Sequence, residues 1–123
     1  MTKRRVFTLR SDEMDTLRDE FKRRGIVGTA HLSHLMILKV VNQHCVNGVE
    51  WFASQREDWQ ELALLSKYQF DTAKTDLVNA GLLYARRGAE MQTSRQILYL
   101  TTNQMAPDPY GPNVYRYRRD DDE

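Results

Sequence analysis

Six side chains between positions 67 and 75 have the types and spacing to do recognition chemistry: Lys67, Tyr68, Gln69, Thr72, Lys74 and Thr75. Interleaved with them, Phe70, Ala73 and Leu77 recur at helical spacing and make a buried stripe, which leaves the polar side chains on the wet face. A Gln amide on that face can pair with an adenine edge, a Thr hydroxyl can meet a base or a phosphate, and the Lys ammoniums can neutralise phosphates. Asp71 and Asp76 work against such a use, since a carboxylate beside phosphate costs affinity. Elsewhere three basic islands stand out. Arg86, Arg87 and Arg95 form one, opposed within its stretch only by Glu90. Another lies at Lys3, Arg4, Arg5 and Arg10, with no acid among the first ten residues. Arg116, Arg118 and Arg119 make the third, just ahead of the acidic run Asp120–Glu123.

Other chemistries are weakly represented. His31 and His34 lie at i, i+3 spacing and could share a metal, but no third ligand joins them at a recognisable spacing. His44 and Cys45 are neighbours in sequence and point apart on a helix, so they make no nucleophile pair. Gly25-Ile-Val-Gly28 lacks the Lys and Ser/Thr of a phosphate loop. Tyr110, Tyr115 and Tyr117, interleaved with Arg, could stack on single strands, but packing of the tail onto the domain or a partner subunit accounts for them better. The residues therefore point to a non-enzymatic protein with no cofactor, no metal and no small-molecule substrate.

The chain has 123 residues, 41% of them hydrophobic and 28% charged, with a net charge of +1. That length suits one domain with at most a small appendage. No apolar run approaches the ~20 residues that cross a bilayer, and the first ten residues have no signal-peptide apolar stretch. A single cysteine excludes an internal disulfide and a multi-cysteine zinc site. The expectation is a cytoplasmic protein, nucleoid-associated if it binds DNA.

Residues 4–10 alternate as a short strand. Ser11 followed by Asp12 and Glu13 opens a helix carrying Met14, Leu17 and Phe21, stopped by Gly25. A second helix is expected from about Thr29 to His44, ended by Asn47-Gly48, and a third from about Glu57 to Leu64 with Trp59, Leu62 and Ala63 inward. Ser66 caps a fourth that runs to about Ala80, with Gly81 as its stop. Extended segments begin at Leu82 and at Ile97, joined by a polar tip containing Gly88. Prolines 107, 109 and 112 argue against regular structure in residues 105–123, which read as an irregular tail or a strap over the surface.

The stretch from Glu61 to Gly88 resembles the core of winged helix-turn-helix DNA-binding domains. Ser66 stands where the recognition helix is capped, Phe70, Ala73 and Leu77 where its inner face lies, and Gly81-Leu82-Leu83 where the chain enters the wing. The likeness covers about residues 30–102 and is strongest to such domains in phage and plasmid replication or regulatory proteins, many of which carry aromatics where Trp51, Phe52 and Trp59 stand. It implies a mainly α (α+β) winged helix over 29–104, with Arg86, Arg87 and Arg95 gripping backbone or minor groove. Residues 3–45 more weakly resemble the ribbon-helix-helix family, in which paired strands enter the major groove. Arg4, Val6 and Thr8 would then face outward with Phe7 and Leu9 in the core, Arg4 and Arg5 are candidate DNA contacts, and residues 1–28 form a strand–helix extension that could dimerise. Together these resemblances imply a homodimer binding double-stranded DNA, as a transcriptional regulator or a replication accessory of a mobile element. The competing expectation is a protein-interaction adaptor or inhibitor, consistent with the small net charge and the acids of the fourth helix.

Overall fold

The computed structural model describes residues 11–26, 30–45 and 50–116. These form a small α+β domain with four α-helices and one four-stranded antiparallel sheet among the described residues. Helix α1 is Ser11–Arg23, α2 Leu32–His44, α3 Trp59–Ala63 and α4 Lys67–Asn79. The strands are β1 Phe52–Ser54, β2 Tyr84–Glu90, β3 Gln96–Thr101 and β4 Val114–Arg116, in sheet order β1-β3-β2-β4. The strand expected over residues 4–10 and the Asn47-Gly48 turn lie outside the described residues.

Each helix end has a local cause. Helix α1 carries Asp12 and Glu13 in its first turn and Lys22 and Arg23 in its last, matching the helix dipole. Gly25 follows at φ +71 and Gly81, after α4, at φ +75, conformations that cost an L side chain strain. Helix α2 starts three residues later than the sequence suggests. Its first turn is closed by the imidazole of His34, whose Nδ1 accepts the His31 N–H at 2.8 Å. The helix expected from Glu57 begins as a 3-10 turn, Arg56–Asp58, before α3.

The core is organised around Trp59. Its ring stacks on Phe70 of α4 at 4.7 Å between centroids and meets Phe52 of β1 edge-on at 5.8 Å. Its Nε1–H donates to Ser54 Oγ at 3.3 Å. Phe70, Ala73 and Leu77 are buried as the spacing requires, together with Ile37, Val40 and Val41 of α2 and Leu98 and Leu100 of β3. Burying such side chains stabilises by about 1.5–3 kcal/mol each before conformational entropy is counted. Leu17 and Phe21 belong to the same core, so α1 packs onto the subunit that carries it. Two polar ties reinforce this: Arg24 donates to the Ala80 carbonyl at the end of α4 at 2.9 Å, and Lys39 pairs with Glu13 at 2.7 Å.

Two expectations about the sheet are corrected. Gly88 is not in the hairpin tip; β2 continues to Glu90, and Gly88 pairs with Ile97 in mid-strand. It is small because a Cβ there would lie 2.9 Å from Val114 and 3.1 Å from Tyr99. Secondly, the stretch read as irregular contains β4, which pairs with β2 through Gly88↔Arg116 and Glu90↔Val114. The chain from Met105 to Asn113 reaches that edge by crossing the outer sheet face. Trp51 Nε1–H donates to the Pro107 carbonyl at 2.6 Å, and Tyr110 Oη–H to the Arg87 carbonyl at 3.0 Å. Tyr110 also meets Tyr99 edge-on at 6.2 Å. No helix among the described residues is long and apolar enough to cross a membrane.

Candidate nucleic-acid interface

Helices α3 and α4 are joined by a turn of three residues, Leu64 to Ser66. Leu64 takes the left-handed conformation (φ 57), and its N–H and that of Leu65 return to the carbonyls of Gln60 and Trp59. The turn swings α4 across the end of α3 and starts it with a reciprocal cap. Ser66 Oγ accepts from Gln69 N–H at 3.1 Å, while Gln69 Oε1 accepts from Ser66 N–H at 2.9 Å. Gln69, expected to read a base, thus has a second role: its amide oxygen is engaged by the backbone, and only its amide NH₂ projects to solvent.

With Phe70, Ala73 and Leu77 inward, the opposite face carries Tyr68, Thr72, Thr75 and Asn79 at successive four-, three- and four-residue steps. All four are exposed, Tyr68 to 79%. Asn79 was absent from the sequence reading, though its spacing from Thr72 and Thr75 could have placed it there. Lys67 is exposed at the N-terminal end and lies 3.3 Å from Glu57, whereas Lys74 is only half-exposed on the flank nearer the core.

The two carboxylates that counted against this helix are both engaged. Asp71 pairs with Arg56 of the 3-10 turn at 2.5 Å. Asp76 accepts from His34 Nε2 at 2.9 Å, and His34 itself is 2% exposed, edge-on to Phe21 and stacked on His31. Because Nδ1 of His34 accepts from His31 N–H, the ring carries its proton on Nε2 and is the donor to Asp76. Arg56 offsets one of these charges, and a neutral donor satisfies the other. Sequence reasoning missed both partners, which lie 15 and 42 positions upstream of the acids.

The hairpin distributes its arginines unequally. Arg86 and Arg87 are consecutive in a strand and therefore face opposite sides of the sheet, so they do not act as one grip. Arg86 lies on the outer face under the crossing chain: its Nε is 3.9 Å from Asp108, and its guanidinium is 5.9 Å from the centre of the Trp51 ring. Arg87 lies on the side of the core, in register with Leu98. There it lines a cleft of about 350 Å³ with Gln55, Arg56 and Glu57 across from Ser94 and Gln96. Arg95 stands at the tip, with its Nε 3.2 Å from Glu90. The Glu90 carboxyl is held below the usual carboxylate range by the Thr93 hydroxyl and then by Arg95. Glu57 is held low by a backbone N–H and then by Lys67. Arg4 and Arg5 lie outside the described residues.

The remaining nucleophile has an inhospitable setting. Cys45 donates its S–H to the Leu100 carbonyl at 3.8 Å, and burial pushes the thiol above its ordinary range. The His44 ring has Nδ1 2.9 Å from the Val40 carbonyl and packs against Phe52. Among the described residues no three His, Cys, Asp or Glu side chains form a group that could hold a metal ion. No protein-family model, no curated protein and no solved structure matches the chain.

Proposed function

We propose that the chain is a sequence-specific double-stranded-DNA-binding protein with a winged-helix fold, in which α4 enters the major groove and the β2–β3 hairpin is the wing. The order α2-β1-α3-α4-β2-β3, with β3 between β1 and β2 in the sheet, supports that architecture. The observation that carries the reading is the outer face of α4. Tyr68, Thr72, Thr75 and Asn79 are open to solvent, while Asp71 and Asp76 on the same helix are drawn off by Arg56 and His34. A helix of this size fits the major groove, and side chains of these types reach base edges there. Lys67 and the arginines of the wing supply phosphate contacts. The functional role is that of a transcriptional regulator or a replication accessory, acting without a cofactor or catalysis. Two copies would cover the two halves of a symmetric site.

Selection of bound fragments from random duplex tests the reading. It should enrich a two-fold-related motif, and Thr72→Ala should relax preference at one position per half-site by about 1–3 kcal/mol. Recovery of unenriched sequence would contradict it. The second reading, a protein-interaction module, draws on the exposure of Leu64 in the turn between α3 and α4 and of Tyr68 in the first turn of α4. It requires that duplex not be bound at low salt.

A further inference from the structure

We propose that the cleft between the wing and the Arg56 turn binds a phosphate ester, presented either by a small phosphorylated molecule or by the backbone of bound duplex. The second source rests on the DNA-binding reading above; the first does not. The cleft, about 350 Å³, is at the lower end of the range for small-molecule sites. Its walls come from distant parts of the chain and are stapled together by Gln55, whose Nε2–H donates to the Gln96 carbonyl at 3.1 Å. The lining includes Arg56, Arg87, Ser94 and Gln96, whose side chains carry hydrogen-bond donors, beside the apolar Ile97 and Leu98. The carboxylate among them, Glu57, is turned to Lys67 at 3.3 Å.

Arg56 gives the cleft its preference for an anion. One terminal nitrogen holds Asp71, but Nε is buried with no hydrogen-bond partner. A buried N–H left unpaired keeps its full desolvation cost, and a charged group more so. An acceptor entering the cleft lets the guanidinium turn about its Asp71 contact and offer a second N–H. A tetrahedral phosphate presents two oxygens at the spacing of that fork, and Arg binds phosphate in this bidentate manner more readily than Lys does. Arg87 faces the same space from β2, and Ser94 and Gln96 can donate to the remaining oxygens. Occupancy bears directly on α4, because Arg56 and Glu57 hold Asp71 and Lys67 of its first turns.

The test follows the arginine side-chain Nε–H resonances of the full chain by NMR in two titrations, with the Thr72 amide as the reporter on α4. Inorganic phosphate, matched against chloride at equal ionic strength, is the first probe, and a 12-base-pair duplex is the second. Saturable shifts at Arg56 and Arg87 with phosphate but not chloride are expected, and Arg87→Gln should weaken them at least tenfold while leaving the remaining spectrum intact. Shifts of both arginines with duplex as well assign the backbone as a source. Shifts with phosphate alone, while duplex moves Thr72 and spares the arginines, assign a small phosphorylated molecule. No saturable arginine response in either titration overturns the cleft, whatever Thr72 does. A Thr72 amide that stays unmoved by duplex overturns the DNA-binding reading separately.

Discussion

Gln69 caps α4 with its amide oxygen and, in the proposed interface, would meet DNA with its amide nitrogen, and two substitutions separate the roles. Gln69→Ala removes the acceptor for Ser66 N–H at 2.9 Å but leaves the Ser66 Oγ cap on N–H 69 at 3.1 Å in place. The abandoned N–H is near solvent and can turn to water, so the loss is at the low end of capping energies, about 0.5–1 kcal/mol. For a domain of this size that lowers Tm by roughly 2–5 °C. Gln69→Glu keeps an acceptor in the same place and adds negative charge near the positive end of α4, worth about 0.3–1 kcal/mol in the stabilising direction. Glu should therefore fold at least as stably as the parent by urea or thermal denaturation. On duplex the order reverses in meaning: Glu repels phosphate and lowers affinity for every sequence, whereas Ala weakens chiefly the selected site. If Glu destabilises as much as Ala, the reciprocal cap is not what holds this residue. If Glu binds duplex as the parent does, Gln69 is remote from the DNA.

The remaining predictions address the parts that hold α4 in place. His34→Ala removes a buried ring, the closure of α2 and the partner of Asp76. It should cost about 2–4 kcal/mol in urea denaturation, and a loss below 1 kcal/mol would show that the His34 bonds add little. Gly88→Ala forces a methyl toward Val114, Tyr99 and Tyr110 and should cost about 1–3 kcal/mol. Proteolysis between residues 102 and 113 should accelerate with it, while Gly111→Ala, which meets nothing within 4 Å, should leave the rate unchanged. Burial raises the Cys45 thiol, so its neutral form persists to higher pH than a free thiol's. Its reaction with a thiol reagent should be slow at pH 8 and accelerate in urea; equal rates in the two conditions would place the sulfur at the surface.

Local pattern carried most of the helical architecture. The apolar steps Met14, Leu17, Phe21 and Phe70, Ala73, Leu77, the Ser66 cap and the Gly25 and Gly81 stops each act within a few residues, so a linear reading locates them. What it lost was long-range. Gly88 looks like a turn residue until Val114 and Tyr110 are known to pack over it, and β4 exists because β2 offers it an edge despite the prolines before it. Arg86 and Arg87 are a pair in sequence and opposites in a strand, so the candidate wing contacts divide between two faces. Asp71 and Asp76 read as obstacles because Arg56 and His34, which engage them, lie on other elements. Arg56 itself carried no motif, and the strand expected at residues 4–10, with Arg4 and Arg5, falls outside the described residues.

The central claim, that the outer face of α4 and the wing together meet the DNA backbone and bases, is tested most directly by duplex affinity as a function of salt. With about six phosphates neutralised, the logarithm of the binding constant should fall with the logarithm of salt at a slope near −5, roughly a thousandfold between 50 and 200 mM. Thr72→Ala should preserve that slope and Arg87→Gln should flatten it by about one. Absence of saturable duplex binding at 50 mM salt, or an affinity indifferent to salt, would contradict the account.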